Sequence, residues 1–396
     1  MEYLLLKNGH LVTAASGILK NADILSGNGR IMEIGYNIKA PNYQTKTLDL
    51  DGRYVLPGLI HYMCPFIRHE ERSSLTVIDK ALAQGATALL DHIKKSTTPV
   101  SLSRIKQLQN EFSLLLPSFG FHLSLRELIH QSKEQLISRI AYSGCTSMIV
   151  RWKHIELLYN KEFKQILKDI SDLNFLLIIR TEGIKQSSLI TRRPFFKSYL
   201  NRLKKLATYL NQHQINVLFT EISSHEEISA IQFIEENTPE HIFMALLPGS
   251  DLIPSPLTLT DIIELGQQSR FILQPPALSS SGPLNAIFPN NSEHYSFINQ
   301  YTNPVNVEQN LETLVNMYAT RPSKLLGMNP QKGGIMIGAD TDLIIWDPFG
   351  NTQNANTLLR RDIKYLVLRG SVVEQSQLFM PEIKADYLYR FPVIKP

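Results

Sequence analysis

Histidine and cysteine are the side chains in this sequence with the greatest capacity to bind a metal ion. The chain has 11 histidines and 2 cysteines, and no His-x-His or His-x3-His pair occurs among the histidines. Such pairs place two imidazoles on one face of a strand or helix, where both can bind one ion. The cysteines, Cys64 and Cys145, exclude a disulfide framework and a thiolate zinc site. The sequence therefore contains no compact metal-binding motif.

Composition is that of an ordinary globular protein. Of the 396 residues, 43% are hydrophobic and 19% are charged, and the net charge of +4 is too small to indicate nucleic-acid binding. The first residues have no basic region followed by an apolar run, so we expect no signal peptide. No run of about 20 apolar residues occurs, so we expect no membrane span. The low cysteine content fits a reducing compartment, and we expect a cytoplasmic protein.

The middle of the chain alternates between short apolar runs and longer helical patterns. The first run, "YVLPGLI", ends at Ile60, and the others are 86–91, 119–125, 147–152, 175–181, 216–222, 242–248 and 271–276. Continuous apolar strands separated by helices are typical of a parallel sheet covered on both faces. Eight such units predict a (β/α)8 TIM-type barrel, regular or distorted, and an open doubly wound sheet is the alternative.

Both ends of the chain have a different pattern, with short apolar runs separated by turn dipeptides. Asn8-Gly9, Asn28-Gly29 and Asp51-Gly52 are turn signals that predict β-hairpins near the amino terminus. The segments "KGGIMIGADTDLIIWDP" and "IKYLVLRGSVVEQ" repeat the pattern near the carboxyl terminus. We therefore predict one small β-sandwich domain formed by residues 1–56 and 334–380, beside a barrel formed by residues 57–333.

The order of these segments resembles a known superfamily. "LLLKNGHLV", "ADILSGNGRIMEIG" and "LDLDGRYVLPGLI" are followed much later by "ATRPSKLLGM", "GGIMIGADTDLIIWDP" and "VLRGSVV". This order resembles the amidohydrolase superfamily, and within it the dihydroorotase branch, with hydantoinases and allantoinases nearby. The resemblance covers nearly the whole chain and is strongest at the two ends. It implies a (β/α)8 barrel with a β-sandwich built from both termini.

The resemblance also implies a zinc site at the carboxyl ends of the barrel strands, and this chain lacks its ligands. Met63 and Pro65 stand where the family has two histidines after the first strand, and Arg180 and Glu221 stand where it has histidines on the fifth and sixth strands. Asn290 is the nearest match to the aspartate that serves as ligand and general base. A thioether binds hard or borderline cations poorly, and proline has no side-chain ligand. We therefore expect no metal and no cofactor.

Other positions of the family pattern were compared in the same way. Lys153 matches the fourth-strand lysine by type, in an uncertain register, and an ordinary surface cation is the simpler interpretation. His61 and Cys64 are out of phase with the ligand positions, so we expect His61 to be packed or hydrogen-bonded. The positions at which the family binds substrate are occupied by Ile67, with Arg68 adjacent, and by Lys94 and Leu278.

Arg180 would place a fixed positive charge where the family holds its cation. Because buried charges need partners, we predict an ion pair between Arg180 and Glu221 across the former metal pocket. On this hypothesis, replacement of Glu221 by alanine should destabilise the fold strongly.

These losses favour a catalytically silent dihydroorotase homologue, which would act as a structural or regulatory subunit in pyrimidine biosynthesis. The family includes such chains assembled with aspartate carbamoyltransferase, so the resemblance implies that enzyme as a partner. A homo-oligomer remains open, and we expect no nucleic-acid or membrane partner. The alternative is an active cyclic-amide hydrolase with a remodelled or metal-free site.

The segment 185–210 concentrates seven basic residues together with aromatic residues. It contains Lys185, Arg192, Arg193, Lys197, Arg202, Lys204 and Lys205, with Phe195, Phe196 and Tyr199. A surface that meets an acidic partner or an anionic ligand is one interpretation. We favour the simpler one, an amphipathic barrel helix with a solvated basic face.

Overall fold

The computed structural model describes most of the chain. The described residues are 2–13, 17–67, 71–93, 102–113, 117–124, 132–181, 193–232, 241–249, 254–275, 308–348, 363–373, 387–388 and 390.

The amino-terminal region forms five strands. They are β1 (Tyr3–Thr13), β2 (Gly17–Gly27), β3 (Arg30–Gly35), β4 (Lys46–Asp49) and β5 (Tyr54–Pro57). β1 and β2 are antiparallel, as are β2 and β3, whereas β4 and β5 both pair with β1 in parallel.

Two of the three predicted hairpin turns are wrong. Asn28 and Gly29 have φ of 51° and 78° and join β2 to β3, as predicted. Asn8-Gly9 instead lies inside β1 as a bulge, since Asn8 has φ 58° and the register with β2 shifts on both sides of Gly9. Asp51-Gly52 turns the chain, but β4 and β5 then lie along successive parts of β1 and do not form a hairpin.

The middle of the chain contains the eight predicted parallel strands. They are β6 (Leu59–His61), β7 (Ala86–His92), β8 (Ser118–Ser124), β9 (Ser147–Arg151), β10 (Leu176–Arg180), β11 (Asn216–Ile222), β12 (Ile242–Leu246) and β13 (Phe271–Leu273). Their order in the sheet is their order in the chain. A doubly wound sheet reverses strand order at a switch point, so the sequential order favours the barrel over that alternative.

Helices follow the strands as the apolar periodicity predicts. They are α1 (Glu71–Ala83), α2 (Leu102–Glu111), α3 (Lys133–Ser143), α4 (Lys161–Asp172), α5 (Arg193–Gln212), α6 (His225–Gln232), α7 (Leu259–Leu265), α8 (Glu308–Val315) and α9 (Arg321–Leu325). A 3-10 segment (Trp152–Tyr159) precedes α4, and a π-helical turn (Asn316–Thr320) joins α8 to α9. Arg321 donates to the carbonyls of Gly266, Gln268 and Phe271, which fixes α9 against the end of α7.

The carboxyl-terminal strands complete the amino-terminal sheet. They are β14 (Leu343–Trp346), β15 (Ile363–Leu368) and β16 (Ser371–Val373). β14 pairs with β5, so strands from both ends of the chain form one mixed sheet of eight strands. Along β14, Ile344 and Trp346 pack in the core beneath the barrel helices, and Leu343 and Ile345 pack on the opposite face of the sheet. Strands from the two termini thus combine as the sequence predicts, and the exact boundaries at 57 and 333 stay a prediction.

Lys332 joins this sheet to the barrel. Its side chain is 2% exposed, and its ammonium contacts the carboxylates of Asp340, at 2.7 Å, and Asp342. It also donates to the Ser118 hydroxyl at the start of β8. Burial lowers the pKa of Lys332, but the carboxylates of Asp342 and Asp340 outweigh burial and raise it above its ordinary value. The ammonium is therefore charged and fully engaged.

The chain passes from one sheet to the other at Gly58. β5 ends at Pro57, Gly58 donates its N–H to the Asp342 carbonyl, and β6 begins at Leu59. A Cβ on Gly58 would lie 2.1 Å from the Thr87 hydroxyl and 2.6 Å from the Thr87 Cβ. Because Thr87 is itself buried in β7, its side chain cannot move aside.

We predict that Gly58→Ala lowers the free energy of unfolding by about 1–3 kcal/mol, the usual cost of overpacking a core. Denaturant unfolding measures this loss. Gly35→Ala is the matched control, because its Cβ would meet Ile38 at an ordinary 3.9 Å and should change stability little. Thr87→Gly should restore part of the loss, and an unaltered Gly58→Ala protein would contradict the close approach.

Candidate functional site

The candidate site lies at the carboxyl ends of the barrel strands, because the catalytic residues of such barrels lie there. After β6 the chain forms a loop that contains both lost ligand positions. Met63 is partly exposed and packs against the apolar interior of the barrel, and Pro65 is partly exposed beside it. The Cys64 N–H donates to the Leu90 carbonyl, and the Ile67 N–H donates to the Asp91 carboxylate at 2.7 Å. The loop is thus held against β7 by hydrogen bonds that need no metal.

Tyr62 lies directly before Met63. Its side chain is 0% exposed and belongs to the apolar cluster inside the barrel. Its hydroxyl donates to the Leu273 carbonyl at 3.2 Å, which links the end of β6 to the end of β13. Burial, and then the Glu221 carboxylate, hold the pKa of Tyr62 well above its ordinary value. Tyr62 was not among the predicted site residues, although its position directly before Met63 was a signal.

The predicted ion pair between Arg180 and Glu221 is present. Arg180 Nε lies 3.3 Å from Glu221 Oε1, and the two residues are at the ends of the neighbouring strands β10 and β11. The side chains are 32% and 22% exposed, so the pair is partly solvated. Because solvated ion pairs contribute little to stability, we expect a smaller effect of this pair than of a buried one.

Glu221 has an unusual backbone. Its φ is 65°, in the left-handed region that a glutamate rarely adopts, and the register between β11 and β12 shifts between Phe219 and Ile222. Its N–H donates to Gln274 Oε1 at 3.3 Å. A bulge at this point changes the direction of the Glu221 side chain relative to the strand alternation. Strained residues of this kind cluster at functional sites.

The structure defines the register of the fourth strand. Arg151 is the last residue of β9 and is the Cα partner of Arg180. Ile149 faces the barrel interior and Val150 faces outward, so alternation places Arg151 on the same inner side. Lys153 lies beyond it on the 3-10 segment and is exposed, as expected for a surface cation. Two arginines thus end the fourth and fifth strands.

A second polar group lies deeper in the barrel. His122 is 0% exposed, its Nε2 lies 2.7 Å from the Tyr62 carbonyl, and its Nδ1 lies 2.6 Å from the Ser147 hydroxyl. A carbonyl can only accept, so Nε2 carries the proton and Nδ1 accepts from Ser147. Burial, followed by the Arg390 guanidinium, holds the pKa of His122 well below its ordinary value. The imidazole is therefore neutral and structural.

The other predicted positions are distributed as follows. Ile67 packs against the apolar core through its side chain, and His61 and Cys64 are both buried. Lys94, Leu278, Asn290 and Arg68 lie outside the described residues. In the described ranges, no group of three or more His, Cys, Asp or Glu side chains is arranged to hold a metal ion. The side chains at the ends of β6 and β10 do not fit a zinc ion, because they offer a thioether, a proline ring and a guanidinium. On β11, Glu221 has a carboxylate that could bind zinc, but it is paired with Arg180.

The basic segment agrees with the simpler interpretation where it is described. Phe196 and Tyr199 of α5 are buried in the core around the barrel, whereas Phe195 is exposed. Arg202 pairs with Glu156 at 2.7 Å and lies over the Trp152 ring. Among helices in the described part of the chain, none is both long and apolar enough to cross a membrane.

Known proteins resemble this chain over most of its length. No protein-family model matches it. The D-hydantoinase of Geobacillus stearothermophilus is 23% identical over 402 residues, covering 87% of this chain and 84% of that protein. A dihydroorotase of Geobacter metallireducens is 37% identical over 84 residues, only 21% of this chain and 20% of that protein. The crystal structure of dihydropyrimidinase from Brevibacillus agri has a TM-score of 0.72 at 17% identity and covers 100% of both chains.

The fold is therefore the hydantoinase-type (β/α)8 barrel with an additional mixed sheet. The sequence and fold together confirm the predicted resemblance: the chain is similar to hydantoinases and dihydroorotases.

We predict a small coupling energy between Arg180 and Glu221. A double-mutant cycle with Arg180→Gln and Glu221→Gln should give about 0.2–1 kcal/mol, the range for solvated ion pairs. Denaturant unfolding of the four proteins measures it, and the exposed pair Arg104–Glu111 on α2 is the comparison. A coupling above about 3 kcal/mol would instead support the strong effect expected of a buried pair.

We predict that His122 makes the fold sensitive to mild acid. Its imidazole is neutral in the folded chain and takes a proton near pH 6.5 once unfolded. Its contribution is thus fully present above pH 6.5 and is lost as pH falls towards the depressed folded pKa, by about 1.4 kcal/mol per pH unit. Unfolding of wild type and His122→Asn between pH 7.5 and 5 measures this slope.

The stability of the His122→Asn protein should fall less steeply as the pH falls. Its unfolding should take up about one proton fewer than the unfolding of the wild type. His213→Gln, at the partly exposed end of α5, is the control and should keep the wild-type slope. Equal slopes for wild type and His122→Asn would contradict a neutral buried imidazole.

Proposed function

We propose that this chain is a catalytically silent relative of the cyclic-amide hydrolases and acts as a structural or regulatory subunit. The observation that supports this proposal is the Arg180–Glu221 ion pair, at 3.3 Å, at the ends of the two strands where the family has histidine ligands. Met63 and Pro65 after β6 extend the same replacement to the first strand.

The charge at this site disfavours a dication. Two unit positive charges 4 Å apart repel by about 4 kcal/mol at an effective dielectric constant of 20, and a divalent ion doubles the repulsion. In hydrolases of this kind a metal ion activates water and polarises the carbonyl group. In this chain a guanidinium supplies a fixed positive charge and Glu221 neutralises it. The mouth of the barrel is thus stabilised by its own side chains.

The proposed partner is aspartate carbamoyltransferase, which would place the chain in pyrimidine biosynthesis in the cytoplasm. What supports this part is the resemblance to the dihydroorotase branch, in which silent chains assemble with that enzyme. A site stabilised by its own ion pair is consistent with a chain retained for its surface.

A second candidate is a cyclic-amide hydrolase with a metal-free site. The partly exposed carboxylate of Glu221, held in a strained backbone beside Arg180, supports it. In such an enzyme Glu221 would act as the general base and Arg180 would stabilise the developing oxyanion. Glu221→Gln separates the two candidates, because it removes the base and keeps the size of the side chain. It also removes the ion pair with Arg180, whose predicted contribution is about 0.2–1 kcal/mol.

We predict that protein purified without chelator contains far less than one zinc ion per chain, measured by elemental analysis beside a D-hydantoinase. Turnover of dihydroorotate and of hydantoin should match that of the Glu221→Gln variant, because the wild-type site has no catalyst to lose. One bound divalent ion per chain would overturn the silent-subunit proposal. Turnover that falls at least tenfold in Glu221→Gln would establish the metal-free enzyme.

The partner is tested separately by sedimentation velocity with aspartate carbamoyltransferase from the same organism. We expect a complex of defined stoichiometry that is retained in Glu221→Gln, since the mouth of the barrel has no part in it. The enzyme from an unrelated organism is the control. Two independently sedimenting proteins would exclude this partner.

A further inference from the structure

The carboxyl-terminal segment is inserted into the wall of the barrel. Tyr387 forms a parallel bridge with Phe119 of β8, and the Leu388 N–H donates to the Phe119 carbonyl at 2.8 Å. On the other side, the Arg390 N–H donates to the Gly144 carbonyl, just before β9. In the described residues, β8 and β9 pair directly only at Leu123–Met148 and Ser124–Ile149. The segment therefore lies between the amino-terminal halves of these two strands.

The side chains of this segment alternate as those of a strand do. The Tyr387 ring contacts the rings of Phe119 and Phe121 at 5.4 and 5.5 Å, on the outer side of the barrel sheet. Leu388 is 4% exposed and packs in the apolar cluster inside the barrel. It lies over Gly120, whose position leaves space for it. Neighbouring residues thus occupy opposite faces of the barrel wall.

Arg390 completes the contact. It is 3% exposed and donates to the Ser147 hydroxyl at 2.7 Å and to the Phe121 carbonyl. The acceptors of Nη1 and Nη2 offset part of the cost of burying the guanidinium. Tyr387, Leu388 and Arg390 therefore each have a pocket of their own. Main-chain hydrogen bonds hold the segment on both sides. This combination is how strand addition recognises a peptide: main-chain bonds give affinity and side-chain pockets give specificity.

We propose that the opening between β8 and β9 is a peptide-binding slot with a preference for Tyr-Leu-x-Arg, and that residues 387–390 are its intramolecular ligand. The slot is independent of the proposed function, because none of its residues lies at the ends of β10 and β11. Residues 374–386 connect this ligand to β16, so the segment is held at high effective concentration.

A chain of hydrogen bonds connects the slot to the mouth of the barrel. Arg390 donates to Ser147, Ser147 donates to His122, and His122 donates to the Tyr62 carbonyl. Tyr62 in turn links β6 to β13. A peptide in this slot therefore helps to position Tyr62, which lies directly before Met63.

The test uses the full-length protein with a specific protease site placed within 374–386. The protein is purified, cut after folding, and passed through a gel-filtration column. We expect the wild-type fragment to stay bound, the Arg390→Gln fragment to leave, and a Lys395→Gln control fragment to stay. Leu388→Ala gives a second comparison if Arg390→Gln does not fold.

A labelled peptide with the sequence of residues 384–396 is then added to the Arg390→Gln body after its fragment has left. We expect binding at least about tenfold tighter than that of the same peptide with Arg390→Gln or Leu388→Asp, because hydrogen bonds to a charged group and apolar burial are lost. The proposal is overturned if the three cut fragments behave alike, whether all stay or all leave. It is also overturned if the three peptides bind equally.

Discussion

The buried ammonium of Lys332 connects the two halves of this molecule. It is held by the carboxylates of Asp340 and Asp342, which belong to the terminal sheet side, and by Ser118, which begins the third barrel strand. A charge that is 2% exposed would be very costly without these partners, so the sheet and the barrel have one relative placement in which all three are available. The Asp342 carbonyl also accepts from Gly58, where the chain enters the barrel. This junction fixes the barrel strands relative to the terminal sheet, and the site lies at the ends of those strands.

At the carboxyl ends of the barrel strands, charges again have partners of opposite sign, but the pair formed there is partly solvated. The opposite charges of Arg180 and Glu221 compensate each other across neighbouring strands. Tyr62 is buried and donates to Leu273. The mouth is thus stabilised by an ion pair and an aromatic ring, and the fold does not require an ion to satisfy its polar groups. A barrel of this kind can lose chemistry and keep its architecture, because its core lies elsewhere.

Much of the fold was predictable because it depends on local patterns. Alternation of apolar strands with amphipathic helices gave eight parallel strands close to the predicted positions, and the Arg180–Glu221 pair followed from two substitutions at strand ends. The hairpin predictions failed at Asn8-Gly9 and Asp51-Gly52, where the same dipeptides that form turns form a bulge and a link between two parallel strands. A turn dipeptide specifies backbone angles, and the strand partner is chosen by tertiary contacts.

The sequence by itself determined the strand order, the contribution of both termini to one sheet, and the absence of histidine at several expected ligand positions, because these follow from residue type and periodicity. The tertiary structure alone decided that Tyr62 is buried and donates to Leu273, and that the Arg180–Glu221 pair stays partly solvated. It also decided that Arg390, far away in the chain, reaches Ser147. These outcomes depend on burial and on distances between residues remote in sequence, and no local pattern encodes either quantity.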